Sequence, residues 1–260
     1  DDGNTITVSE AGSIETTGDF AYGITNIGDE NETTVSGSIK TAGDFADGIL
    51  NRGNENITTV SDTGSIETAG DFVDGITNIG DENETTVSGS IKTAGDYADG
   101  IASGGDKNIT TVSDTGSIET VGVKALGLRN YGDDNKTTVS GSITTVGSYA
   151  GGIYNADNGN ETTVSGSITT AGEDADGIYN YGDDNETTVS GSIKTAGETA
   201  DGIVNYGDNN ETTVSGTSSI ETAGHDAYGI SNQGDDNKTI VSGSIKTGDV
   251  VAGTGNDAYG

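Results

Sequence analysis

The feature that most constrains this chain is the return of one dipeptide, Ser-Ile, at nearly fixed intervals. Its isoleucines are Ile14, Ile39, Ile66, Ile91, Ile118, Ile143, Ile168, Ile193, Ile220 and Ile245, always 25 or 27 residues apart. A valine keeps the same phase upstream, at Val8, Val35, Val60, Val87, Val112, Val139, Val164, Val189, Val214 and Val241. The two-residue difference always falls between that valine and that isoleucine. Short coils read Val-Ser-Gly-Ser-Ile, as at 35–39, and long coils carry two more residues, as at 60–66. An insertion confined to one place means that a corner varies while the flanking segments hold register.

Each unit contains three short stretches of alternating character: Thr-Thr-Val-Ser, Gly-Ser-Ile-x-Thr and Ala-x-Gly-Ile-x-Asn. Glycine and Asp/Asn turns punctuate them. Apolar residues at helical spacing are missing and β-branched residues dominate, so strands are predicted. Three sides per repeat make one turn of an all-β parallel β-helix, or β-solenoid. About ten coils at roughly 4.8 Å each give a rod of about 50 Å. The chain, residues 1–260, is one stack without separable domains. Its tail, 248–260, leaves the repeat and is a candidate junction between subunits.

Composition now reads differently. A hydrophobic fraction of 29% with a net charge of −33 would ordinarily indicate disorder. Divided among ten coils, the same residues become a thin core. Alternation turns Val35, Ile39, Thr41, Ala46 and Ile49 inward, with equivalents in each coil. Asn26, Asn51, Asn78, Asn130, Asn155, Asn180, Asn205 and Asn232 lie two residues after the inward Ile or Leu. They are expected to form an internal asparagine ladder, interrupted by Ser103. The acidity disfavours nucleic acid as a partner. No apolar run is long enough to insert in a membrane. Without cysteine there is no disulfide, thiol nucleophile or thiolate metal site.

The string Gly-Ser-Ile-x-Thr-x-Gly-Asp-x-Ala-x-Gly-Ile, as at 37–49, resembles the coils of autotransporter-type passenger domains and related bacterial or archaeal surface β-helix repeat proteins. The resemblance implies an extracellular or cell-surface location and a role in adhesion, coating or fibre formation. These residues carry no translocator β-barrel and no protease triad of the kind found in that family.

Repetition turns every surface residue into a row. Asn31, Asn56, Asn83, Asn108, Asn135, Asn160, Asn185, Asn210 and Asn237 each begin an Asn-x-Thr triplet. They are read either as turn residues or as N-glycosylation acceptors on exposed corners. Outward Thr-x-Ser pairs such as Thr34 and Ser36 are soluble strand formers, O-glycan carriers or an ice-binding face. Asp19, Asp44, Asp71 and Asp96 stand at one corner position. Unit charges about 4.8 Å apart repel by roughly 0.9 kcal/mol even in water, so the row is either solvated and screened or neutralised by a hard cation, Ca²⁺ foremost. No cofactor is required for folding. Phe20, Phe45, Phe72 and Tyr97, and separately Ile27, Ile79, Tyr131, Tyr181 and Tyr206, form outward apolar rows that serve stacking, lateral contact or sugar binding.

An enzyme is not expected. A lyase acting on acidic sugars needs basic residues, and only ten Lys and Arg and His225 are spread over the coils. Carboxylates are plentiful, but each belongs to a repeating series, whereas an active site marks a local break. The principal break is 122–129. The expectation is therefore a rigid acidic structural rod that associates head to tail into fibres. The alternative is an adhesin or binding module for calcium, glycan or ice.

Overall fold

The computed structural model describes residues 2–248. These form a parallel β-solenoid of about ten turns, with three strands per coil and no helix. In the second coil the strands are Glu32–Val35, Ser38–Thr41 and Ile49–Arg52. The first strands of all coils make one ten-stranded parallel sheet, the second strands another, and the third strands a nine-stranded sheet. Residues 249–260 of the tail lie outside the described residues.

Register does not drift. Val8 pairs with Val35, Ile14 with Ile39 and Ile24 with Ile49, and each pairing repeats along the stack. The long coils keep it because their two additional residues close a tight turn. In them Gly12 N–H donates to Ser9 O (2.7 Å) and Gly64 N–H to Ser61 O (2.7 Å).

Val35, Ile39, Thr41, Ala46 and Ile49 are all buried, as are their counterparts through most of the stack. The core is narrow because one Val, two Ile and one Ala per coil fill it. Corners are tight enough to exclude side chains at some points. A Cβ at Gly152 would stand 2.4 Å from Ile168 Cγ2 and 2.5 Å from Gly177 O, so only glycine lets successive coils approach.

The polar interior is equally regular. Asn26 Nδ2 donates to Asn51 Oδ1 (2.7 Å) and to Thr33 Oγ1 (2.9 Å). The same pair of bonds recurs from Asn155 to Asn180 Oδ1 (2.8 Å) and Thr162 Oγ1 (3.1 Å). The first Thr of each Thr-Thr-Val is therefore inward and serves the amide of the preceding strand. Ser103 breaks this line, and its buried hydroxyl has no hydrogen-bond partner. Each bond is worth about 1 kcal/mol net, and an orphaned buried group costs about 1–3 kcal/mol. Asn155→Ala should destabilise by about 3 kcal/mol, whereas Ser103→Asn should stabilise by about 1–2 kcal/mol, both read as shifts in the urea midpoint.

Candidate functional site

The Asn-x-Thr asparagines do not occupy exposed corners. Asn31 through Asn210 are buried, and Asn237, near the last coil, is half-buried. Asn31 N–H and Nδ2 both donate to Asn56 Oδ1 (3.0 and 2.9 Å), and Nδ2 also donates to Gly28 O (2.9 Å). Asn56, Asn83, Asn108, Asn135, Asn160, Asn185 and Asn210 each donate their N–H to the next asparagine's Oδ1. This is a second internal ladder, in which the Nδ2 groups of these asparagines, that of Asn210 excepted, also donate hydrogen bonds. The turn reading placed them at a corner correctly; the exposure that the acceptor reading expected of that corner is not what their burial shows. The corner turns with the residue before each asparagine held at positive φ, Glu30 at 58° and Asp134 at 58° among them.

Asp19, Asp44, Asp71 and Asp96 line up on an exposed corner. Each uses Oδ1 to accept the backbone N–H of the next coil: Asp44 to Asp19 (3.1 Å), Asp71 to Asp44 (2.9 Å), Asp96 to Asp71 (2.9 Å) and Val123 to Asp96 (2.8 Å). The row thus has a structural task as a set of acceptors. Among the described residues no group of three or more His, Cys, Asp or Glu comes together in an arrangement that could hold a metal ion.

Next to this row, Phe20, Phe45, Phe72 and Tyr97 stack face to face with centroids 5.1, 5.3 and 5.0 Å apart. All four are exposed and held at φ between 55° and 58°. The left-handed conformation costs a non-glycine residue about 1–2 kcal/mol, close to what aromatic pairing returns at about 0.5–1.5 kcal/mol beyond area burial. The stack therefore offsets the strain that its own position imposes. Lys124 continues it as a cation over Tyr97 (5.1 Å) and Tyr149 (5.9 Å). Phe45→Ala should be less stable than Phe45→Gly by about 1 kcal/mol in urea unfolding, because both lose the stack and only glycine relieves the backbone.

Sequence reasoning missed an inner carboxylate row, Asp47, Asp74 and Asp99 with Asp176 and Asp201 farther along. These residues follow the inward Ala, or Val73 in the case of Asp74, where strict alternation would place them in solvent. The chain bends there, and Ala46, Asp47, Gly48 and Ile49 are all buried in succession. Asp47 Oδ1 accepts the N–H of Asp74 (2.9 Å), Asp74 that of Asp99 (2.9 Å) and Asp176 that of Asp201 (2.7 Å). Burial raises every one of these carboxyls. Asp176 is pushed up to about 7 and Asp201 to about 6. Asp47 rises by burial, Asp74 by burial and by the neighbouring Asp99 charge, and Asp99 by burial against the pull of Arg129. Arg129 Nε lies 2.8 Å from Asp99 Oδ2 in an ion pair without hydrogen-bond alignment, and Arg129 Nη2 lies 3.4 Å from Asp74 Oδ2. The same guanidinium lies over the Tyr131 ring at 5.4 Å.

The second aromatic row is broader than the sequence suggested. Tyr131, Tyr154, Tyr179, Tyr181 and Tyr206 make a continuous patch, with Tyr154 and Tyr179 stacked at 5.6 Å and Tyr181 and Tyr206 at 5.2 Å. Tyr154 and Tyr179 escaped notice because they sit one place after the inward Ile, where other coils carry Thr, Leu, Ala, Arg, Val or Ser. The repeat break at 122–129 does lead to this region, since Leu126 and Arg129 border it.

Comparison of the chain with protein-family models, curated proteins and solved structures finds no match. Of the resemblance to surface β-helix repeats, the structure shows the coil architecture itself.

The raised carboxyls set an unusual pH dependence. An aspartate with a folded pKa above its unfolded value near 3.9 holds its proton more tightly when folded, so stability is full below about pH 4 and declines as pH rises through the folded value. For Asp176 and Asp201 that decline runs up to about 7 and about 6. The melting temperature should therefore fall between pH 5 and pH 8, and D176N/D201N, which keeps both acceptors, should narrow the difference.

Proposed function

We propose that the chain is a non-catalytic structural rod of the cell exterior whose copies join head to tail into fibres. The observation that supports this reading is the unvarying register. Every described coil is both a template for the next and a copy of the last, so the two outermost strand edges carry complementary halves of one hydrogen-bond ladder. Docking one edge on the other would be heterologous association, which propagates into open filaments. Three sheets closed around a common core also resist bending, which suits a strut. An acidic, hydroxyl-rich surface suits a hydrated exterior.

A non-catalytic role accords with the arrangement of the acids. The carboxylates of both rows are engaged as backbone acceptors, coil after coil, rather than gathered at one place.

Negative-stain microscopy with sedimentation across a concentration series tests the proposal. Fibres with an axial repeat of about 50 Å, or a multiple of it, are the expected outcome. Short monodisperse rods at every concentration would overturn it.

A further inference from the structure

The inner carboxylate row fails at two successive coils, where Leu126 and Gly151 replace aspartate. Two consequences follow. Elsewhere the residue at this place donates its N–H to the preceding carboxylate, as Asp74, Asp99, Leu126, Asp201 and Tyr228 do at 2.7–2.9 Å. Leu126 and Gly151 offer no such acceptor, so the N–H groups of Gly151 and Asp176 lack that bond. The missing side chain at Gly151 also leaves a cleft of about 340 Å³. Leu126 and Ile153 give it apolar surface, Tyr149, Tyr154 and Tyr179 aromatic surface, and Asp174 and Asp176 its charge.

Elsewhere in the same row the chain shows what such a combination holds. Beside Asp74 and Asp99 the Arg129 guanidinium pairs with both carboxylates and lies over a tyrosine ring. At the cleft the tyrosines and carboxylates are present, but among the described residues no Lys or Arg pairs with Asp174 or Asp176.

We propose that this cleft binds the guanidinium of an arginine side chain presented by a partner protein, with Asp176 and Asp174 facing its charge and Tyr154 and Tyr179 facing its plane. A planar, weakly hydrated cation stacks on aromatic faces and accepts desolvation better than an ammonium. A neutral sugar could stack on the same rings but would leave a largely buried carboxylate uncompensated. An inorganic cation would gain nothing from the tyrosines. The site does not depend on fibre formation.

Titration of the ¹⁵N-labelled full chain with N-acetyl-arginine amide, against its neutral isostere N-acetyl-citrulline amide, tests this at pH 8 and about 0.3 M salt, where diffuse attraction to the acidic rows is screened. The arginine probe should shift the amides of Gly151 and Asp176, and citrulline should not. Equal response to citrulline or to glucose, or arginine shifts spread along the acidic rows and lost in salt, would overturn the proposal. Asp176→Asn keeps the acceptor for Asp201 N–H and should weaken binding by at least about tenfold, the worth of one charge-assisted contact. Gly151→Asp restores the residue the row carries in other coils, fills the hollow and should abolish the shifts while the dispersed amide spectrum of the other coils is kept. Unchanged affinity in these two folded variants would equally sink the idea.

Discussion

The stacking of a buried amide on an identical amide one coil away is the interaction on which the rest of this structure depends. Asparagine in an apolar core must satisfy donor and acceptor at once, or it costs more than it contributes. Asn51 does so by receiving from Asn26 and donating to Asn78. That solution exists only if the next coil carries the same residue at the same height. Sequence repetition is thus a physical requirement of the interior, and the parallel sheets inherit their register from it. The outer asparagine line, Asn31 to Asn56 and onward, imposes the same condition on the corner.

The coil and its three sides were legible because period-2 alternation holds within each four-residue strand. Val35, Ile39 and Ile49 could be placed inward from spacing alone. Legibility stopped at the corners, where alternation has no meaning. Asn31 follows a residue with φ of 58°, which swings its side chain inside, and an Asn-x-Thr triplet carries no sign of that. Asp47 is hidden for a related reason: four consecutive residues from Ala46 turn away from solvent at a bend. A signal existed in retrospect. An aspartate kept between inward Ala and a glycine whose Cβ would clash is an odd choice for a free surface residue.

Another regularity lay in plain sight. The outward place on the second strand carries Glu15, Glu67, Glu119 and Glu221 in the long coils, and Lys40, Lys92, Lys194 and Lys246 in short ones. Register sets them side by side, and Lys40 meets Glu67 at 2.8 Å while Lys92 meets Glu119 at 2.9 Å. Each exposed pair contributes at most about 1 kcal/mol, so they do not hold the rod together. They do discriminate between coils, because a pairing that skipped one coil would set Glu15 opposite Glu67 or Lys40 opposite Lys92. Over much of the chain the natural repeat is therefore a pair of coils, one long and one short.

Charge is also what makes the interruption at Leu126 and Gly151 informative. A chain of net charge −33 can stack its acids in rows only if each is given something to do. The outer aspartates accept backbone N–H groups, the glutamates of the second strand meet lysines, and Asp74 and Asp99 share one guanidinium. Each device uses a partner from another coil. At Asp176 the acceptor role toward Asp201 is kept, but the cation is not supplied from within. Burial then lifts its carboxyl to about 7. In so uniform a stack, the place where the internal partner is missing, the side chain is deleted and tyrosines gather is where a partner from outside has the most to gain.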